Sequence, residues 1–449
     1  MTTMHARQAL LPTGWTDDVR LSLENGRIAR LETGVEPQTG DEHHAILLPA
    51  MPNVHSHAFQ RGMAGLAEVR GPGSDSFWSW REVMYRFALT MTPDDVEAVA
   101  AQLYVEMLEA GFGRVGEFHY LHHQPDGQPY GDLGELATRI AAAAGETGIA
   151  LTLLPVFYAH SGFGGGAPNE GQRRFINTRD QFAALLERCE TLTDALPNGV
   201  TGLAPHSLRA VTPEELEWLA TLRPTKPIHI HIAEQVKEVE DCQAWSGQRP
   251  VEWLLGHQPV DGRWCLIHAT HMTAAETTAF AQTGAVAGLC PITEANLGDG
   301  TFDGVAFAQA GGAIAIGSDS NIEIGVGAEL RAMEYAQRLK HRGRNMLVDP
   351  GKSNGAALFN RALSGGALAL GVPFGLGEGA TADFVSLQAD DVALAGRAGN
   401  AILDALVFCG RPLVDCVWVN GVKQVEAGRH PKREAIAQRF SRTIQRLLA

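Results

Sequence analysis

Apolar positions along the chain follow two rhythms. Up to about residue 48 they alternate with polar ones: residues 19–23 alternate, Glu24-Asn25-Gly26 makes a turn, and residues 27–31 alternate again. Period-two alternation broken by Asn-Gly predicts paired, half-buried strands. The same rhythm returns at residues 382–387 and 414–419, with Asn420-Gly421 as a hairpin turn before residues 422–425. The simplest account is one β-sandwich built from both chain ends. Between them, short apolar runs alternate with helical segments, which predicts a parallel sheet with crossover helices. Eight such runs end near His55/His57, His119/Tyr120, His160, His206, His231, His268, Pro291 and Asp319. Eight βα units predict an α/β fold, a (β/α)8 TIM-like barrel, with catalytic groups at the C-terminal strand ends. The expected division is 1–48 for the first part of the sandwich, 49–375 for the barrel, 376–430 for the second part and 431–449 for a basic C-terminal helix.

Composition narrows the partners. A net charge of −15 over 449 residues argues against nucleic acid and anionic membranes. A small anionic substrate then needs a local cluster of Arg and His. Six cysteines without a C-x-x-C pair read as reduced thiols of a cytoplasmic protein. The N-terminus lacks the basic and apolar regions of a signal peptide, and no run reaches the length of a membrane helix.

The chemistry gathers at the strand ends. His55-Ser56-His57 closes an apolar run, and i, i+2 spacing on a strand puts both imidazoles on one face. That is half of a site for a borderline cation; alone, the pair also fits two solvated loop histidines. In the run 228–232, His231 is followed by Glu234, a carboxylate placed to shuttle protons, while His229 lies one layer deeper in a structural position. His268 ends the sixth run, where it can polarise a substrate, and His271 reads as loop. Asp319 follows an alternating run and Gly317-Ser318; alone it reads as a helix cap, and in register with three histidines as a metal ligand and general base. Residues 77–87, rich in Trp and Arg, read either as loop packing after strand one or as a lid supplying Arg81. Gly162-Phe163-Gly164-Gly165-Gly166 lacks the Lys-Ser/Thr of a phosphate loop.

The ordered set of His-X-His on strand one, His on strands five and six and Asp on strand eight resembles the amidohydrolase superfamily. Binuclear members carry a carboxylated lysine on strand four, but no lysine precedes Lys226 here. The resemblance therefore implies the mononuclear deaminase branch, with His55, His57, His231 and Asp319 on one divalent metal, Zn²⁺ by default, and Glu234 and His268 completing the pattern. A closer resemblance, to the formimidoylglutamate deiminase family of histidine degradation, rests on residues 52–61 (PNVHSHAFQR), 116–120 (GEFHY), 204–209 (APHSLR) and 293–300 (TEANLGDG). It implies substrate contacts at Gln60, Tyr120, His206 and Arg209, with Arg81 a further candidate. N-formimino-L-glutamate, the implied substrate, carries two carboxylates, and each needs charge-assisted donors. Arg209 alone also reads as a surface ion pair of little worth. The implied reaction releases ammonia and N-formyl-L-glutamate, with Asp319 and His268 orienting water and Glu234 moving the proton. A homodimer is expected. Three alternatives stand beside it: a purine, pyrimidine or triazine deaminase, an N-acyl amino acid hydrolase, and a barrel without activity.

Overall fold

The computed structural model describes residues 2–70, 77–373 and 375–449. Strands from both ends share one sheet, in the order Val422–Val425, Val414–Val419, Phe384–Leu387, Glu42–Pro49, Thr2–Leu11, Gly14–Glu24 and Arg27–Thr33. Side chains on successive strand residues point to opposite faces, so one strand serves two cores. Leu47, Phe384 and Trp418 join Met4, Ala6, Val19 and Leu21 in a core internal to the sheet. Their neighbours Ile46, Leu48, Val385 and Val417 turn the other way, into the large core shared with the barrel. The sandwich expected from both ends is thus a sheet wrapped over its own core and fused to the barrel through its back.

The barrel strands are Met51–Ser56, Phe112–His119, Ala150–Phe157, the split pair Val200–Thr201 and Ala204–Pro205, Ile228–Ile232, Trp264–His268, Val286–Leu289 and Ala313–Ile316. All pair in parallel with their neighbours. Backbone bridges join the two parallel sheets at both seams, Ser56 with Asp319 and Leu203 with Ile228. At the first seam the amides of Ser318 and Asp319 donate to the His55 carbonyl at 3.1 and 2.9 Å. That seam holds strand eight against the histidine pair of strand one. Gly317 makes the approach possible: a Cβ there would sit 2.8 Å from that of His55.

Three sequence expectations change in detail. The third barrel strand stops at Phe157, and His160, beyond it, faces Glu215 at 3.0 Å instead of the barrel mouth. The Trp- and Arg-rich stretch is helix Phe77–Ala88, not loop. The segment 376–430 also contains helix Asn400–Phe408, docked on helix Asn354–Ala369 by Asp404, which accepts from the Gly355 amide at 2.7 Å. Helix Arg433–Leu448 closes the chain and reaches helix Pro93–Glu109 through ion pairs of Arg433 with Glu109 and Arg446 with Asp95.

Candidate active site

The ends of strands one, five and eight bring His55, His57, His231 and Asp319 together. The Nε2 atoms of His55 and His57 lie 3.2 Å apart, and that of His231 lies 3.0 Å from His55. Asp319 Oδ1 completes the group, 3.3 Å from His57 and 3.5 Å from His55. Tautomers follow from the outer hydrogen bonds. His57 Nδ1 donates to the Phe118 carbonyl at 3.0 Å, and His231 Nδ1 to the His206 carbonyl at 2.9 Å. A carbonyl can only accept, so both Nε2 atoms carry bare lone pairs turned inward. Lone pairs and a carboxylate packed within van der Waals range repel one another unless a cation sits among them. Burial, reinforced by the neighbouring histidines, holds His55 and His231 well below the usual imidazole range, and burial lowers His57 too. These neutral imidazoles and one carboxylate have the chemistry of a donor set that could hold a divalent metal.

Beside this group stand two buried titratable side chains, Glu234 and His268. His268 Nε2 lies 3.8 Å from Glu234 and 3.7 Å from Asp319 Oδ2, while its Nδ1 faces Glu294 at 3.2 Å. Burial alone would lower His268, but Glu234, Glu294 and Asp319 together push it up to about 10. Burial pushes the Glu234 carboxyl up to about 7, with His268 opposing and Asp319 adding. The backbone is strained where these groups project: Ala233, His268, Ala269 and Asp319 all have φ between 46 and 67°. Non-glycine residues there cost energy, and such positions cluster at sites where side chains must be aimed.

A pocket opens above, lined by His57, His231, Glu234, His268 and Asp319 below and by helix Phe77–Ala88 on one side. Gln60, Tyr120, His206, Arg209 and Arg81 all line it. Gln60 donates to the Tyr120 hydroxyl at 2.9 Å. Arg209 is buried, takes part in no ion pair among the described residues, and has its Nε without a partner. Arg81 instead lies over the Trp78 and Tyr85 rings at 4.6 and 5.4 Å.

Residues 46–423 match the amidohydrolase family. The chain belongs to that family. The formimidoylglutamate deiminase HutF N-terminal domain matches residues 1–45. Formimidoylglutamate deiminase of Pseudomonas aeruginosa is 49% identical over 454 aligned residues, which cover 100% of both chains. The full-length likeness places this amidohydrolase among the formimidoylglutamate deiminases. A solved amidohydrolase from Brucella melitensis is 59% identical, covers 100% of both chains and superposes with a TM-score of 0.97. An adenosine deaminase from Xanthomonas campestris, solved with bound zinc, shares the fold at 21% identity and a TM-score of 0.82, with 100% and 98% of the chains covered.

Sequence reasoning missed the residues that position this amidohydrolase site. Asn53 donates to Ser318 Oγ at 2.7 Å, Ser318 to Asn321 at 2.6 Å, and Asn321 to the His57 and Asp319 carbonyls. Glu117 accepts from the Ala58 amide at 2.7 Å and the Tyr104 hydroxyl at 3.2 Å, under the histidine pair. Tyr158 also went unread. Gln172 Oε1 accepts from the Asn169 amide, so its Nε2 donates to the Tyr158 hydroxyl at 2.7 Å. The Tyr158 hydroxyl lines the pocket and is also hydrogen-bonded to Tyr85. Asn53 and Glu117 fall inside stretches that carry the resemblance, but no local pattern gives any of these residues its role; each becomes meaningful through its partners in the fold.

Proposed function

We propose that the protein hydrolyses N-formimino-L-glutamate to N-formyl-L-glutamate and ammonia, a step of histidine degradation. One observation carries the reading: a buried guanidinium in no ion pair among the described residues, Arg209, shares a pocket with the histidine–carboxylate group. A dicarboxylate substrate supplies the missing anion, and Arg81 at the same pocket wall takes the second carboxylate. The walls are aromatic, which a ring substrate would also accept; the guanidinium groups favour the acyclic dianion.

In this reading His55, His57, His231 and Asp319 hold one divalent metal, zinc by analogy with the adenosine deaminase solved with zinc. When bound, the metal supplies Lewis acidity that makes water nucleophilic near neutral pH. The chain's own groups do the rest. Arg209 and Arg81 fix the two carboxylates, and Gln60, Tyr120 and His206 orient the backbone of the substrate. Asp319 and His268 align the attacking water against the formimino carbon. Glu234, poised near neutrality, takes a proton from the water and delivers it to the imino nitrogen, then carries the remaining hydroxyl proton to the same nitrogen as the carbonyl forms and the C–N bond breaks, so that ammonia leaves. We further assign it to the cytoplasm, as a homodimer.

The test is a product assay on metal-replete protein given N-formimino-L-glutamate. Ammonia and N-formylglutamate in equal amounts are expected. Formamide with free glutamate would reverse the regiochemistry, and no turnover would overturn the substrate.

A further inference from the structure

The ends of barrel strands six, seven and eight bring one donor that the hydrolytic scheme leaves out, Cys290, beside two that it uses, His268 and Asp319. One ligand atom each of His268, Cys290 and Asp319 lies within 4.8 Å of the other two, and all three residues are buried. Cys290 follows strand seven directly and faces a cluster containing Val54, Cys265, Ile267 and Ala315. Its backbone is pinned from both sides. The Cys290 amide donates to Glu294 Oε1 at 2.8 Å, and Pro291 starts the following helix. The Cys290 backbone therefore has a set place at the end of strand seven, beside His268 and Asp319.

The two oxygens of Asp319 face different ways. Oδ1 lies 3.3 to 3.5 Å from His57 and His55, whereas Oδ2 lies 3.7 Å from His268 Nε2. The carboxylate can bridge two cations, one held by the imidazoles of His55, His57 and His231 and one on the His268 side. The sets differ in softness. The first offers nitrogen and oxygen only; the second adds a thiolate, which selects Zn²⁺ or Cd²⁺ over hard ions.

We propose that His268, Cys290 and Asp319 form a second cation site, for a thiophilic divalent ion, whose filling switches the hydrolase off. Binding displaces the thiol proton and any proton on His268 into solvent, so this site is the weaker of the two and fills only in excess metal. An ion there occupies the His268 nitrogen and the Asp319 oxygen that must stay free to align water.

The test titrates enzyme loaded with one equivalent of zinc with Cd²⁺. One further equivalent is expected to bind, with a sulfur-to-cadmium absorption in the ultraviolet and loss of turnover in step. Cys290→Ser should remove the absorption and raise the half-inhibiting Cd²⁺ concentration by about tenfold or more, with the first zinc and unchallenged turnover retained. Cys290→Ala should do the same, and Cys409→Ser, which removes the exposed thiol, should change nothing. Absorption that survives in both Cys290 variants would overturn the proposal, as would inhibition of the wild type without absorption, which marks exchange at the first site. If neither variant folds, X-ray absorption of cadmium on the Cys409→Ser protein decides: sulfur among the ligands supports the site, and nitrogen and oxygen alone reject it. The absorption needs no substrate, so it stands or falls apart from the deiminase reading.

Discussion

Glu234 and Tyr158 show how little of a residue's role is intrinsic to it. A glutamate in water is ionised at neutral pH; burial beside Asp319 pushes this one up to about 7, where it can both accept and give a proton. Glu234→Gln should keep the metal, by elemental analysis, and lose about 10² to 10⁴ in kcat, the range of a general acid–base. Near-normal turnover would remove Glu234 from the mechanism. Tyr158 acts by position: Gln172 donates to its oxygen, which holds the hydroxyl at the pocket wall beside Tyr85 and Arg209. A hydrogen bond to a charged group contributes about 1.5–3 kcal/mol, so Tyr158→Phe should raise KM about ten- to a hundredfold with kcat nearly kept. An unchanged KM would mean that the hydroxyl never meets the substrate. His55, His57, His231 and Asp319 were legible one by one as strand-end donors. Tyr158 was not, because an isolated tyrosine after an apolar run looks like packing.

At the scale of elements, helix Phe77–Ala88 matters most, because it carries Trp80, Arg81, Met84 and Tyr85 to the pocket. Its C-terminal end is held by Arg174, a guanidinium with no exposed surface. Arg174 donates to the carbonyls of Ala88 at 2.5 Å, Met91 at 2.8 Å and His123 at 2.7 Å. A cation on the carbonyls that end a helix satisfies orphan acceptors and the helix dipole together. Arg174→Met should lower the unfolding free energy by about 3 kcal/mol in urea titrations and raise KM as the helix loosens. Full stability in that variant would show that the carbonyls find water instead. The composition of residues 77–87 was compatible with loop or lid. What settles it as a helix over the site is this contact with residues 123 and 174, which no local pattern announces. The helices at Pro93, Pro213 and Ala274 were better marked: each starts after a threonine whose hydroxyl accepts from the amide three residues on, with an acidic side chain answering.

The whole molecule behaves as one body because strand Glu42–Pro49 feeds two cores. Loosening the sandwich should therefore unseat the barrel. Asp41 offers a clean lesion. Its carboxylate accepts from Arg20 Nε at 2.9 Å and from the Gln38 amide at 2.8 Å, and Arg20 holds it well below the usual carboxylate range. A depressed folded-state pKa means stability that is fully present above the unfolded value of about 3.9 and lost as pH falls through the folded one. Asp41→Asn should then lower the melting temperature at pH 7, with the gap to wild type closing as pH drops below about 4. Circular dichroism and loss of activity should move together; activity that outlasts the sandwich would show two independent units.

Sequence alone determined the kind of protein this is. The rhythm of apolar runs sets a barrel between two halves of a sandwich, because periods of 2 and 3.6 are local properties of the backbone. Donor residues at the run ends mark the chemistry, since parallel strands in a barrel all deliver their C-terminal ends to one face. Tertiary structure alone decided which donors meet. It excluded His160, whose strand ends early, brought Cys290 beside His268 and Asp319, and turned a Trp-rich stretch into a covering helix. It also set the protonation of Glu234 and His268, because a pKa depends on burial and on charges from distant parts of the chain. Distances between strand ends are sums over the whole fold, and no window of sequence contains them.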